Sequence, residues 1–472
     1  MNFSSFIGPS YRSQSGIAEG ERSVNWYPEI IETQQGKNRW ILLPVPGVVR
    51  RWTLPNGPCR GMFAQDGRVI VVAGPDIVEL FDDDTYTVRG NIAVDQYPAT
   101  LCSNGAGGGE VFITSGGQGK ILNLTTNVVS SVVVSAVRMG AFLDGWFLAL
   151  DPVTSTLHIS GSEDGLTWNP LQIIQRNTGG DKWQSLLVSH RLIYLFGSQS
   201  SDVYYNAGTS PIPFEAIQEG FMQQGILAPF ALTDSEDGPI WIGQSSHGRG
   251  VVYQADGYTP KRISDHGVEH QIQSYATVND AIGFSQQDQG HGFSSFTFPT
   301  ALGSWAYDAA TTSWHERLFW NAPLVSYQAA RPLFHCFAFG AHLVGDRSSA
   351  DIYEQSVTQH LDVGGANLRC LRRSPHLSNE HRWITIKDFT LDMDTGVGTT
   401  TGAGANPQAM LRWSTDGGMT WSNEHWADIG KQGAYGTRVN WTRLGRGRDR
   451  VFEVVISDPV PRRLINAYLE VA

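Results

Sequence analysis

Three stretches of this chain hold residue types whose spacing could do chemistry. HGVEH (266–270) sets His266, Glu269 and His270 in the pattern H-x-x-E-H, in which two histidines on one helix face hold zinc and the glutamate acts as base. Gly267 weakens that helix, and no third ligand stands out, so a surface or packing role is expected. RVNWTRLGRGRDR (438–450) gathers Arg438, Arg443, Arg446, Arg448 and Arg450 around Trp441, on a strand and the turn after it. Guanidinium groups at that density grip phosphate or a partner's carboxylates, and an indole stacks on a base or on guanidinium. Two partners compete for it: acidic protein (or carboxylates of the same chain) and nucleic acid. GAGGG (105–109) lacks the strand-to-helix context of a phosphate cradle and is expected to be a loop. Asp82, Asp83 and Asp84 read as a solvated turn, since EF-hand spacing is absent.

Two further motifs are turns. STDGGMTW (414–421) matches Ser-x-Asp-x-Gly-x-Thr-Trp in full through Ser414, Asp416, Gly418, Thr420 and Trp421. SEDGLTW (162–168) is one residue shorter, with Ser162, Asp164, Gly165 and Trp168. The aspartate accepts from turn amides, glycine supplies a backbone angle that other residues resist, and tryptophan folds beneath. The motif resembles the Asp-box of sialidases and other glycan-handling propellers, where it is structural. A sialidase would need three converging arginines, a Tyr/Glu pair and an aspartate from separate blades, and no FRIP-type opening supplies that set. A glycosidase needs two carboxylates flanking a cleft; with 45 acidic residues, pairs are uninformative. No catalytic, cofactor-binding or metal-binding residue is therefore assigned. A glycan-binding or sialidase-like propeller is the alternative function, and a zinc hydrolase built on HGVEH is the third.

A repeated β unit has to position these groups. From about residue 58, strand, turn and strand recur as RVIVVAG with DIVELF (68–81), EVFITSGG with KILNL (110–124) and GWFLALD with TLHISGS (145–162). RLIYLFGS with DVYYNAG (191–208), PIWIGQS with GVVYQAD (239–256), FSSFTFP with SWAYDAA (293–310), and FHCFAFG with HLVGD and DIYEQ (334–355) continue the series. A period of about 40 to 50 residues is blade length. The expected fold is all-β: a propeller of about seven blades, six being the other count, over 39–375, with a C-terminal β-sandwich over 376–472. Two stacked sandwiches built from the same strands are the competing arrangement. RWILLPVPGVVRRWTLP (39–55) is the candidate for closing the ring. Residues 1–38 read as an extended arm, and GVGTTTGAGANPQ (396–408) as a flexible loop; both are expected to order on assembly. VEHQIQSYATVNDAI (268–282) is the one stretch with a helix signal.

Composition narrows the classes further. Charged residues make up 17% against about 25% for an average domain. Lys+Arg 34 against Asp+Glu 45 gives −11, which excludes a surface that is wholly an electrostatic glove for nucleic acid and favours the acidic partner for the arginine cluster. Cys59, Cys102, Cys336 and Cys370 lie far apart with no CxxC and are expected to be reduced core thiols. No signal-peptide pattern or apolar run of membrane-spanning length occurs, so the chain is expected to be made and kept in a cytosol without membrane insertion.

Several of these stretches, taken in order, suggest a family. NWYPE (25–29), PVPG (44–47), GPCRGM (57–62), KRISDHGVEHQIQSY (261–275), GHGFSSFTFPTALGSWAYDAATTSWHER (290–317) and HLVGDRSSADIYE (342–354) do so, followed by LRWSTDGGMTWSNEHW (411–426), RLGRGRDRVFEVVISDPV (443–460) and LINAYLE (464–470). From about residue 9 onward the chain resembles the tail-hub, or packaged-DNA-stabilisation, proteins of short-tailed bacteriophages. The resemblance implies a virion tail protein with a propeller and a sandwich, assembled in the host cytoplasm as a homo-hexamer beneath the portal and adaptor. It further implies contacts to a tail needle or plug, to spikes or fibres and to packaged DNA in the channel, with no cofactor and no catalytic residues. An acidic ring suits that role, since a polyanion must slide through without sticking.

Overall fold

The computed structural model describes every residue except 1, 34 and 178. Seven antiparallel sheets follow one another over 59–91, 100–137, 139–175, 183–216, 225–262, 282–316 and 332–356, here blades 1 to 7. An inner strand of each blade touches the next blade, the first strand in every case but blade 5, where it is Leu232–Ser235; that of blade 7, Pro332–Ala338, touches Cys59–Gln65 of blade 1. The ring is therefore closed, and the arrangement is a propeller, not stacked sandwiches.

Blade 1 shows why the second strands read as unbroken apolar runs. In Arg68–Ala73, Val69 and Val71 face the cluster shared with blade 7, while Ile70 and Val72 face the one shared with blade 2. A strand alternates sides, and each side here meets a different neighbour, so both must be apolar. Closure uses the chain's beginning. Gly47–Thr53 pairs antiparallel with Asp351–Ser356 as the outermost strand of blade 7, and Trp52, 2% exposed, fills the gap between blades 7 and 1. Burial of an indole of that size contributes on the order of 4 kcal/mol.

The second half of the 39–55 segment thus closes the ring, but the first half does not. Trp40–Pro44 pairs with Trp26–Ile30 and touches Leu464–Val471, in a sandwich sheet completed by Ile384–Met393 and Val439–Thr442. Pro44 and Pro46 break the segment between the two destinations. The opposing sheet runs Gly20–Val24, Cys370–Arg373, Asp449–Ile456, Gln408–Ser414 and His425–Asp428. Phe6, Trp26, Leu42, Phe389, Phe452 and Leu464 form the core between them.

Two expectations are corrected here. The described part of 1–38 is no free arm: it supplies a strand to each sandwich sheet, and Phe3 and Phe6 to the core. The sandwich is therefore built from both ends of the chain. The 396–408 loop is likewise tied down, by Gly396 and Gly398 N–H groups donating to the Ile429 and Gly430 carbonyls and by Thr399 N–H to Gly404 O at 2.8 Å. The helix spans His266–Ser274 and stops at Tyr275, whose backbone is extended and whose hydroxyl accepts from Trp305 Nε1 at 3.1 Å. GAGGG is one helical turn, Gly105–Gly108, where a loop was expected; Gly109 at φ 68° ends it.

Propeller and sandwich share a sheet. A single parallel bridge, Val24 to Glu316, runs the second sandwich sheet on into blade 6, giving eleven strands in all.

Candidate functional site

The propeller axis is the natural place for a ligand, and its two mouths differ. At one, the Tyr97 ring stacks on Phe230 with centroids 5.9 Å apart. Tyr97 precedes blade 2 and Phe230 precedes the Leu232–Ser235 strand of blade 5, which are not neighbours in the ring, so the contact reaches across the axis. Arg138 lies 4.7 Å over the Tyr97 ring, and Arg60 Nη2 donates to the Tyr97 carbonyl at 2.9 Å. The other mouth is an open bowl of about 1120 Å³ at the ends of the first strands of blades 4 to 7, with Asp234, Glu236, Asp237, His190, His335 and His342 on its wall. His335 and His342 share a hydrogen bond of 2.9 Å; burial first, then His342, pushes His335 down to about 4, so it is neutral at physiological pH. Asp234 is raised by burial. The bowl is acidic and polar, which repels phosphate. None of these groups carries a motif, and sequence reasoning passed over them.

Both Asp-box aspartates are spent on their own turns. Leu166 and Thr167 N–H groups donate to Asp164 Oδ1 at 2.9 and 3.3 Å, the Thr167 hydroxyl to Oδ2 at 2.6 Å, and Trp168 Nε1 to Gly165 O at 2.7 Å. These bonds, the hydroxyl's first, hold Asp164 below its usual range. Ser162 sits in the same turn, between the Thr156–Gly161 and Asp164–Gln175 strands. In the sandwich, Ser414 and Thr420 hydroxyls and the Met419 and Thr420 amides donate to Asp416, pulling it down to about 2. Gly418 N–H donates to Ser414 Oγ at 2.8 Å and Trp421 Nε1 to Gly418 O at 3.1 Å. Trp421 is clasped by Arg373 and Arg412, each 4.8 Å from its ring.

The arginine cluster divides. Trp441 is 5% exposed in the sandwich core, donating Nε1 to His425 O at 2.9 Å, so it cannot stack on a base. Arg450 is 2% exposed, over Trp413 at 5.6 Å. Arg438 bonds Thr390 Oγ1 at 3.0 Å and lies 3.8 Å from Asp388. That leaves Arg443, Arg446 and Arg448, all exposed and, among the described residues, without an ion pair. The surface indole here is Trp383, 55% exposed, with Arg446 and Arg448 at 4.9 and 5.0 Å from its ring. Sequence reasoning missed Trp383 and misplaced Trp441. The alternation in VNWT held the signal: Val439 and Trp441 share a face, and Val439 belongs inside.

HGVEH lies on the helix, but its glutamate is engaged elsewhere. Arg262 Nε donates to Glu269 at 2.6 Å and Ser264 Oγ at 2.7 Å, and Glu269 is buried. Among the described residues no group of three His, Cys, Asp or Glu could hold a metal. The four cysteines are free, and burial pushes Cys59 and Cys336 up to about 12 and Cys370 up to about 11, leaving them unreactive thiols. No described helix is long and apolar enough to cross a membrane.

Fold and surface together define an all-β propeller–sandwich chain with exposed cationic and acidic faces. One family model, described as the bacteriophage P22 Gp10 β-propeller, matches residues 21–359, and a second, its β-sandwich, matches 369–472. The chain belongs to that family, the tail-hub type of phage protein that stabilises packaged DNA. No curated protein matches. Among solved structures it is similar to the extracellular domain of the hybrid two component system BT4673 of B. thetaiotaomicron (9% identity, TM-score 0.44, 70% of this chain and 46% of that one). A streptogramin B lyase follows at 12% identity and TM-score 0.44, over 66% of this chain and 98% of the other. BamB from Moraxella catarrhalis is 11% identical at TM-score 0.39, over 75% and 95%. The family membership rests on the two family models and not on these likenesses.

Proposed function

We propose that this chain is the hub of a short phage tail. Six copies form a ring that joins the portal-adaptor to the tail needle or plug, carries spikes or fibres, retains packaged DNA and lines part of the ejection channel in the virion tail. Assembly takes place in the host cytoplasm. The observation that carries this reading is the match of both domains to the phage propeller and sandwich family, and the Tyr97–Phe230 stack across the propeller axis bears on the route of the DNA. An axis that two side chains reach across cannot pass a duplex about 20 Å wide, so DNA runs between copies and not through a propeller. The work is then binding, through interfaces of about 2,000 Å² or more that resist the pressure of packaged DNA. Six copies at −11 sum to about −66, a lining that offers a polyanion little grip. Exposed Arg443, Arg446 and Arg448 are the surface for an acidic neighbour in the particle.

Reconstruction of the particle tests this. Six copies between adaptor and tail tip, with DNA on the common axis, is the expected result. Particles depleted of the chain that still hold their DNA would remove the sealing role.

A further inference from the structure

Where blades 6 and 7 meet the ring-closing strand, the structure leaves a partly open cavity of about 50 Å³, with Val48 of that strand on its wall. Gln286 and Ser295 of blade 6, Gln355 of blade 7 and Arg317, just beyond the last strand of blade 6, also line it. Each is at least nine-tenths buried, and each has a polar atom with no protein partner: Gln286 Nε2, Ser295 Oγ, Gln355 Oε1 and Arg317 Nη2.

Three buried arginines, Arg317, Arg450 and Arg462, have no ion pair among the described residues; Arg462 donates instead to the Leu368, Asp458 and His360 carbonyls, and of the three Arg317 alone lines this cavity. Arg22, Arg176 and Arg372 are each paired with a carboxylate. Arg317 has no carboxylate in contact, and Asp308 and Asp288 act on it only from beyond ion-pair distance. Its Nε donates to His315 Nε2 at 3.2 Å, and its guanidinium lies 4.3 Å over Phe293. His315 is fully buried and held neutral, so it accepts without supplying charge. Burial pushes Arg317 down only to about 10, so it stays charged at neutral pH. Asp362 also lines the cavity, but the cations acting on it are Arg331 and Arg462. A buried, unpaired charge costs several kcal/mol, and a counter-ion relieves that cost.

We propose that this cavity is a binding site for a small monovalent anion of the halide class, held by Arg317 Nη2, Gln286 Nε2 and Ser295 Oγ. Two of those donors are neutral and one is cationic, which suits a single negative charge. The Gln355 amide can turn its nitrogen inward as a fourth donor. Room for about three or four waters accommodates a halide with a water, and not a phosphate with its shell. The site lies at the seam of ring closure, so the ion ties blade 6 to blade 7.

Crystals of the full chain soaked in bromide test this directly, with diffraction measured at the bromine edge. An anomalous peak in the cavity within hydrogen-bond reach of Arg317 and Gln286 is expected. Ordered water alone in the cavity, with bromide only at surface sites, would overturn the proposal. In solution, replacing gluconate by chloride at constant ionic strength should raise Tm saturably, by about 2 to 3 °C at a hundred-fold excess over Kd. The rise should vanish in Arg317→Gln. The bromide map and the chloride titration are both read on the unmutated chain, so a variant that fails to fold does not block the test. An equal Tm in both anions counts against the site.

Discussion

Arg22 grips Glu316 through both arms of the carboxylate, Nε to Oε1 at 2.8 Å and Nη2 to Oε2 at 2.7 Å, across 294 residues of sequence. Glu316 is 3% exposed, and its strand is the outer edge of blade 6, where the sandwich sheet begins. The pair is thus the polar rivet between the two domains. Burial by itself would raise Glu316, but Arg22, with Arg12 and Arg373, holds it below its ordinary value of 4.5. A depressed carboxylate contributes stability above its unfolded pKa and loses it as pH falls through the folded value. Glu316→Gln should therefore cost about 3 to 5 kcal/mol near neutrality by stranding Arg22. The deficit relative to the unmutated chain should shrink once pH falls below about 4.5, as read by denaturant melts across pH.

Truncating the stack across the axis separates the two possible DNA routes. Tyr97→Ala with Phe230→Ala should lower stability by about 1 kcal/mol for the lost ring pair, plus about 2 kcal/mol for the partly buried surface of each ring. Particles assembled with that double variant should hold their DNA as well as before. Leakage of DNA specifically on opening this aperture would place the duplex inside the propeller and contradict the route between copies.

The Asp416 turn makes a prediction about acid. Hydrogen bonds from Ser414 and Thr420 set its pKa at about 2, against an ordinary 3.8. Its contribution is complete above pH 4 and disappears between about pH 4 and 2. Asp416→Asn should lower Tm at pH 7 and leave it unchanged at pH 2, and a carboxyl NMR titration of the unmutated chain should place the Asp416 midpoint near 2.

Gly267 sets helix propensity against packing. In an isolated helix, glycine to alanine is worth about 1 kcal/mol of stabilisation. Here a Cβ would sit 2.9 Å from the Arg12 backbone nitrogen and 3.2 Å from the Tyr11 ring. The helix rests directly on the Tyr11–Arg12 strand, and backbone cannot move aside cheaply. Gly267→Ala should therefore lower the urea midpoint, and hydrogen exchange should quicken at residues 11–12 and 20–21.

What was legible in the sequence was local. Blades 1 to 7 are hairpins whose partners lie within about 20 residues, so the period survives in one dimension; the closing strand betrays itself by having no upstream partner. The sandwich strands at the beginning were hidden because Arg22 pairs with Arg373 and Val24 with Glu316, and strands of two to five residues carry no period. Gly267 looked like a flaw in a helix because Arg12 is 255 positions away. The charge of the arginine run was readable, but which of its members face solvent was settled by tertiary packing, and that moved the surface indole from Trp441 to Trp383.

The exposed arginines make the last prediction. Arg446 and Arg448 both lie against Trp383, which holds their guanidinium planes in place at little entropic cost before a partner arrives. Among the described residues neither forms an ion pair, so the fold's stake in their charge is the contact with Trp383. Arg446→Glu with Arg448→Glu should cost the free chain no more than about 1 to 2 kcal/mol, the two contacts with Trp383. An acidic neighbour would meet like charge instead, and incorporation into particles should fall at least tenfold, the equivalent of about 1.4 kcal/mol at the interface. Raising salt should weaken assembly of the unmutated chain and partly rescue the reversed one, since a Debye length of about 8 Å at physiological strength shortens further. Normal assembly of the double variant at low salt would mean that these arginines face open solvent in the particle.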